Sequence, residues 1–244
     1  MSVFRNAVFL AAIAGLFAGI VMTGLQSFFT VPLILQAETY EAAAPAHDHG
    51  AHDHGEGAAA DHHHDEEAWA PADGAERTFY TVLANVVTGI GFGLLLVAAS
   101  EIAGGIAGWR QGVVWGFAGF AVFTLAPGLG LPPELPAMPA ADLFARQVWW
   151  IATVGATAAG LALIVFGRSV LLAVLGVALI VAPHAVGAPQ PATHETPVPA
   201  DLHQRFVVAV TVTNLLFWLV LGAAMGFVRA RFSGPLGTPQ NSLA

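Results

Sequence analysis

The sequence predicts an all-α integral membrane protein, a polytopic bundle of six (alternatively five) transmembrane helices with both the N-terminus and the C-terminus cytoplasmic. Three observations predict it. Only 10% of the 244 residues are charged, against about 25% in an ordinary soluble domain. The residues AVILMFWYC make up 56%, with 27 Gly besides, which leaves too little polar surface to cover a water-soluble core. The charge is also segregated: 11 of the 16 acids and 7 of the 10 His fall between Glu38 and Glu76. No basic face exists, so nucleic acid is not a partner. Cys is absent, which excludes thiolate metal sites, disulfides and Cys nucleophiles.

Each apolar stretch is read against the roughly 20 residues that a membrane helix needs. The first runs from Ala7 to Val31 and stops at Pro32, so 1–37 forms the first transmembrane unit. Its apolar run of about 25 residues exceeds the 7–15 of a signal-peptide core, so a retained helix is expected. Residues 38–76 form a polar outer loop. A bundle then occupies 77–232, with spans from Phe79 to Ser100, Gly112 to Ala126, Val148 to Phe166, Val170 to Val186 and Phe206 to Val228. The third span ends in a Pro/Gly-rich segment, and 233–244 is a flexible tail. Only Gly167-Arg168-Ser169 divides the fourth span from the fifth. Fusing the two would place Arg168 at mid-depth, where an unpaired charge is expensive; six spans avoid this, and five are the fallback.

Charge placement agrees with six. With the N-terminus inside, Arg5, Arg110, Arg168, Arg229 and Arg231 lie at inner ends and Arg77, Arg146 and Arg205 at outer ends, in the direction of the positive-inside bias. Gly pairs at four-residue spacing (Gly15/Gly19, Gly89/Gly93, Gly104/Gly108, Gly112/Gly116, Gly222/Gly226) allow close backbone approach between helices in lipid.

The outer loop carries the chemistry. Ala46-His47-Asp48-His49-Gly50 repeats at once as Ala51-His52-Asp53-His54-Gly55, and His62, His63 and His64 follow among Asp61, Asp65, Glu66 and Glu67. Imidazole suits first-row transition metals, and adjacent carboxylates help to neutralise the ion. A His-x-His unit brings two rings within reach of one ion. The segment has no apolar pattern and is expected to be disordered. Such a chelator loses chain entropy on ordering, so moderate affinity is expected, weaker in acid as imidazoles protonate near pH 6.5.

Polar residues also interrupt the spans. Thr23, Gln26, Ser27, Asn85, Thr88, Thr153, Thr157 and Asn214 read as interhelical hydrogen-bond partners. His184, following Pro183 at the outer end of the fifth span, reads as a functional group on the metal-rich side. Glu38 and Glu41, just past the first helix, could take a cation from the loop, or form an ordinary solvated boundary. No His-Glu-x-x-His, Gly-x-Ser-x-Gly or P-loop occurs, so no enzyme activity is expected.

Several segments resemble the CbtA family of predicted cobalt transporter subunits. They are the exit of the first helix from Phe28 to Glu41, then Trp69 to Thr78, and Gly130-Leu131-Pro132-Pro133-Glu134-Leu135-Pro136. Arg146-Gln147-Val148-Trp149-Trp150 with Thr153 and Thr157 follows, then Pro183 to Pro189, and Pro199 to Phe206. The similarity spans nearly the whole chain in order. It implies movement of divalent cobalt for cobalamin synthesis, with a small one-helix, His-containing partner subunit, in the bacterial inner membrane. It also implies five spans, as family members are often described, against the six counted here.

The expected function is therefore metal uptake, with divalent cobalt (or nickel or zinc) as the ion carried or loop-bound and no tightly bound cofactor. The candidate metal residues are His47, His49, His52, His54, His62, His63 and His64 in the loop, on the periplasmic side. Glu134 and His184 are added as the frame of an outer mouth. A membrane-tethered metal buffer or sensor, and a metal efflux protein, are the competing readings.

Overall fold

The computed structural model describes residues 2–43, 71–72 and 74–232, with the side chains of 2, 3 and 43 excepted. Among the described residues the fold is all-helical, in this order: α1 Ser2–Phe29, α2 Val31–Ala43, α3 Ala75–Ile102, α4 Trp109–Phe120, a π-helical segment Ala121–Leu125, α5 Ala126–Gly130, α6 Leu143–Phe166, α7 Val170–Val186 and α8 Ala200–Phe232. Five helices are long and apolar enough to cross a membrane: Phe4–Phe29, Ala75–Ile102, the run Trp109–Gly130, Leu143–Phe166 and Ala200–Phe232. The sixth apolar helix, α7, has 17 residues, or about 25 Å against a hydrocarbon core of about 30 Å.

Two prolines expected to end spans do not do so, each for a local reason. The chain does not leave the helix at Pro32. Thr30 makes a one-residue break, with its amide 3.0 Å from the Gln26 carbonyl and its own carbonyl accepting from Leu33 and Ile34. Pro32 is then the second residue of α2, where a missing amide costs no helical bond. Helix continues to Ala43 and resumes at Ala75, inside the stretch 38–76 expected as loop; of that stretch, 44–70 and 73 lie outside the described residues, as does the tail 233–244.

The third span runs past Ala126 to Gly130. Pro127 has no amide, and its ring would strike the carbonyl four residues back in a regular α-helix. The helix absorbs this by widening: the Ala126 amide donates to Ala121 O, five residues back, before Leu131 N returns to Pro127 O at 2.8 Å. The break expected at Gly167-Arg168-Ser169 is a true reversal. Ser169 caps α7 by accepting from Leu172 N at 3.2 Å, and α6 and α7 pack against each other as a hairpin.

Four helices make the core. α1 lies between α3 and α8, and α4 lies along α8. Four of the five expected Gly pairs set these distances; Gly104 and Gly108 lie instead in the α3–α4 connection. A Cβ on Gly19 would sit 2.6 Å from Val86 Cα, and one on Gly89 would sit 2.5 Å from Gly15 O. Gly112 and Gly222 face each other backbone to backbone, and Gly226 meets the Gly108 carbonyl. Trp218, 1% exposed, fills the centre, stacked on Phe123 with ring centroids 5.5 Å apart. At one end a cap forms where Ala37 of α2, Leu135 of the α5–α6 loop, and Val198, Leu202 and Phe206 near the start of α8 bury each other.

Candidate functional site

The expected metal ligands divide into two groups. His47, His49, His52, His54, His62, His63 and His64 lie outside the described residues. Glu134 and His184 are both described, at the capped end of the bundle. Glu134 follows α5 in the loop 131–141, and its carboxylate accepts from Arg146 of α6 at 3.2 Å, with both side chains about a quarter to a third exposed. The same loop is held from the other side by His203 of α8, whose Nε2 lies 3.1 Å from the Pro133 carbonyl. Glu134 is thus part of a buttressed loop whose nearest charge is an arginine.

His184 sits in the last turn of α7. Trp149 of α6 fixes its position: the indole Nε1 donates to Pro183 O at 3.2 Å, and the His184 ring meets the indole edge-on at 5.7 Å between centroids. Trp149 is held in turn by Gly130, where no side chain would fit beside the indole. Among the described residues no three His, Asp or Glu come together as a metal-binding group. Glu38 of α2, considered as a receiver of loop metal, is paired with Arg77 of α3 at 2.7 Å.

Most of the intramembrane polar residues are tied off. Asn85 of α3 donates to Thr23 Oγ1 at 3.0 Å and Gln26 Oε1 at 2.6 Å on α1, the interhelical role expected of it. Asn214 bonds only within α8, to the Val210 carbonyl. Thr153 likewise turns back to the Trp149 carbonyl at 2.8 Å. Thr157, one turn further along α6, is the exception. It is 3% exposed and its hydroxyl has no partner.

Thr157 and His184 line an open groove of about 340 Å³ between the π segment with α5 on one side and the α6–α7 hairpin on the other. Its walls are otherwise hydrocarbon, from Ala121, Leu125, Leu129, Leu161 and Ile180 among others. On its far side the π segment faces the core, where Thr124 Oγ1 accepts from Trp218 Nε1 at 3.2 Å. Pairing Thr153 with Thr157 by spacing was possible from sequence. That Thr153 is bonded and Thr157 bare was not, because it depends on where the π segment leaves room. His203 carries no signal beyond its place in the segment Pro199 to Phe206.

A family model described as "Probable cobalt transporter subunit (CbtA)" matches residues 4–230 of the chain. No curated protein and no solved structure matches. The chain belongs to the CbtA family of probable cobalt transporter subunits.

Proposed function

We propose that this member of the CbtA family is the membrane subunit of a transporter that takes up divalent cobalt, and that its His-rich loop concentrates the ion at the outer face. The observation that carries the reading is the family match over 4–230, together with the apolar helices that make the chain a multi-pass membrane protein. In this reading six helices cross the bacterial inner membrane with both termini cytoplasmic, and 44–70 lies on the periplasmic side. His47, His49, His52, His54, His62, His63 and His64 collect the metal. His184 stands at the outer mouth of the path, with Glu134 on the same rim beside Arg146.

The chemistry of collection is simple. Neutral imidazoles exchange for water on a first-row ion, and nearby carboxylates raise its local concentration. A small, His-containing partner with a single helix completes the transporter, and the energy source lies outside this chain.

The test is uptake of radiolabelled cobalt by cells with and without the chain, with nickel and zinc as competitors. Uptake should depend on the chain. Deleting residues 46–64 should leave maximal uptake intact while raising the cobalt concentration needed for it. Uptake that is the same with and without the chain overturns the transport reading. Loss of all metal handling on loop deletion favours a tethered buffer.

A further inference from the structure

Arg77, Arg146 and Arg205 stand at the capped end of the bundle, and the first two are committed to other elements. Arg77 holds Glu38 of α2 at 2.7 Å, and Arg146 holds Glu134 of the α5–α6 loop at 3.2 Å. Arg205 of α8 differs. Among the described residues its guanidinium reaches Asp201 alone, one turn back on the same helix, at 3.4 Å with both side chains exposed. An exposed pair of this kind contributes little and exchanges readily for other partners.

From Arg205 an open groove of about 520 Å³ runs inward along α8. Gln204 and Arg205 line its outer end, Val208, Val212 and Leu216 continue the α8 wall, and Phe29 forms the α1 side. The break at Thr30 explains the groove. α1 packs on the inner half of α8, where Ala18 and Met22 share a core with Phe217, Leu221 and Met225. α2 packs on the outer end of α8, with Leu33, Ile34 and Ala37 against Leu202 and Phe206. Phe29 is the last residue of α1, so the groove opens between these two contacts. From Arg205 to Leu216 the helix rises about 16 Å at 1.5 Å per residue, half of a hydrocarbon core of about 30 Å. Thr213 also lines the groove, but its hydroxyl already donates to Ala209 O at 2.8 Å. The groove is therefore charged at one end, hydrocarbon for the depth of one leaflet, and open along its side, which is the shape of an amphiphile.

We propose that this groove seats one glycerophospholipid whose headgroup carries a primary ammonium, with an acyl chain along Val208, Val212 and Leu216, the phosphate on Arg205 and the ammonium on Asp201. Charge complementarity selects the headgroup. A guanidinium binds phosphate through paired N–H donors, and Gln204 adds an amide beside it. Asp201 lies one turn outward of Arg205, about 6 Å along the helix, on the side toward which an ethanolamine ammonium extends beyond its phosphate. The same carboxylate repels a headgroup of net negative charge, and a quaternary ammonium has no N–H to donate to it. When the lipid binds, the Arg205–Asp201 contact opens and each charge passes to its opposite on the headgroup, so none is left unpaired. The site does not depend on which ion the chain carries.

The experiment uses the full chain, purified in detergent and mixed with equal amounts of phosphatidylethanolamine, phosphatidylglycerol and phosphatidylcholine, and reads bound lipid by native mass spectrometry. One phosphatidylethanolamine per chain is expected to survive activation that strips the other two. Arg205→Gln should weaken its binding about tenfold, the loss expected for one charged hydrogen-bond partner. Asp201→Asn should erase the preference over phosphatidylglycerol while a phospholipid stays bound. Both replace exposed side chains, so the fold survives them. Ala209→Phe, which fills the groove below the headgroup residues, should remove the lipid. Equal retention of the three lipids by the parent, a preference for phosphatidylglycerol, or parent-like retention in Arg205→Gln overturns the assignment. A dimer of the chain that Ala209→Phe disperses also overturns it, since the groove is then an interface between copies.

Discussion

Gly19 tests whether backbone contact, rather than side-chain filling, sets the α1–α3 distance. In Gly19→Ala the new methyl would lie 2.6 Å from Val86 Cα, 2.7 Å from Val86 N and 2.8 Å from Asn85 C, against the 3.4 Å at which ordinary contact begins. All three atoms are backbone, so the helices must separate by about 0.8 Å. That shift would stretch the Asn85–Thr23 hydrogen bond from 3.0 Å to about 3.8 Å, beyond hydrogen-bonding range. Overpacking costs about 1–3 kcal/mol and the lost bond about 0.5–1.5 kcal/mol, while replacing Gly in a helix returns about 0.5–1 kcal/mol. The net is a loss of about 0.5–4 kcal/mol. Gly24→Ala is the control: a Cβ there meets nothing within 4 Å, so only the backbone gain of up to about 1 kcal/mol remains. Reversible unfolding followed by Trp fluorescence in mixed micelles reads both. Gly19→Ala at least as stable as the parent, or the two variants destabilised alike, refutes the reasoning.

Three further outcomes follow from the geometry. Because the chain has no Cys, Arg168→Cys and Ala192→Cys give clean labelling sites at the two ends of α7; a membrane-impermeant maleimide added to intact spheroplasts should modify the second and not the first, and labelling of both on one side would reduce the crossings to five. Trp149→Phe should cost about 0.5–1.5 kcal/mol through loss of the indole bond to Pro183 O, and a melting temperature equal to the parent's would deny that this bond fixes the end of the hairpin. Cobalt held by the loop should fall roughly a hundredfold between pH 7.5 and 5.5, since the neutral fraction of an imidazole titrating near 6.5 drops about tenfold and a His-x-His chelate needs two; equilibrium dialysis of the full chain showing a change under threefold would exclude paired imidazoles as the ligands.

Hydrophobic length and helix-packing Gly were legible in the sequence because both are properties of a helix taken alone. Gly112, Gly116, Gly222 and Gly226 recur at four-residue spacing and do meet across α4 and α8. The reversal at Gly167-Arg168-Ser169 was legible from the cost of a mid-depth charge. What escaped were the two prolines read as stops. Pro32 begins a helix and Pro127 is carried within one, and which occurs depends on whether the preceding turn can bond elsewhere. The bare hydroxyl of Thr157 escaped for a related reason. Spacing put Thr153 and Thr157 on one face of α6, but only the room left by the π segment makes Thr157 the one buried hydroxyl without a partner among the described residues.

Pro127 also fixes how the two halves of the bundle can move. Returning Ala121–Leu125 to α register would drive the Pro127 ring against the Phe123 carbonyl, a cost of about 3 kcal/mol or more. It would also disturb Phe123 and Thr124, which are committed to Trp218 at the centre of the core. The π segment is therefore tied rigidly to the core. The hairpin side is held differently. Of the α7 residues only Gly176 is buried, and α6 and α7 are joined chiefly to each other, with α6 meeting the rest through the π segment and α5. Parting Gly160 from Gly176 changes a contact within the hairpin and leaves the four-helix core untouched. Gly160→Ala, whose methyl would press on Gly176 O and Ile180 Cγ1 at 2.5 and 2.7 Å, should therefore change cobalt uptake at matched expression while leaving the α1–α3 contact as firm as in the parent. A variant that lost uptake only in proportion to folded protein would show that the hairpin contact is structural and that an ion passes elsewhere.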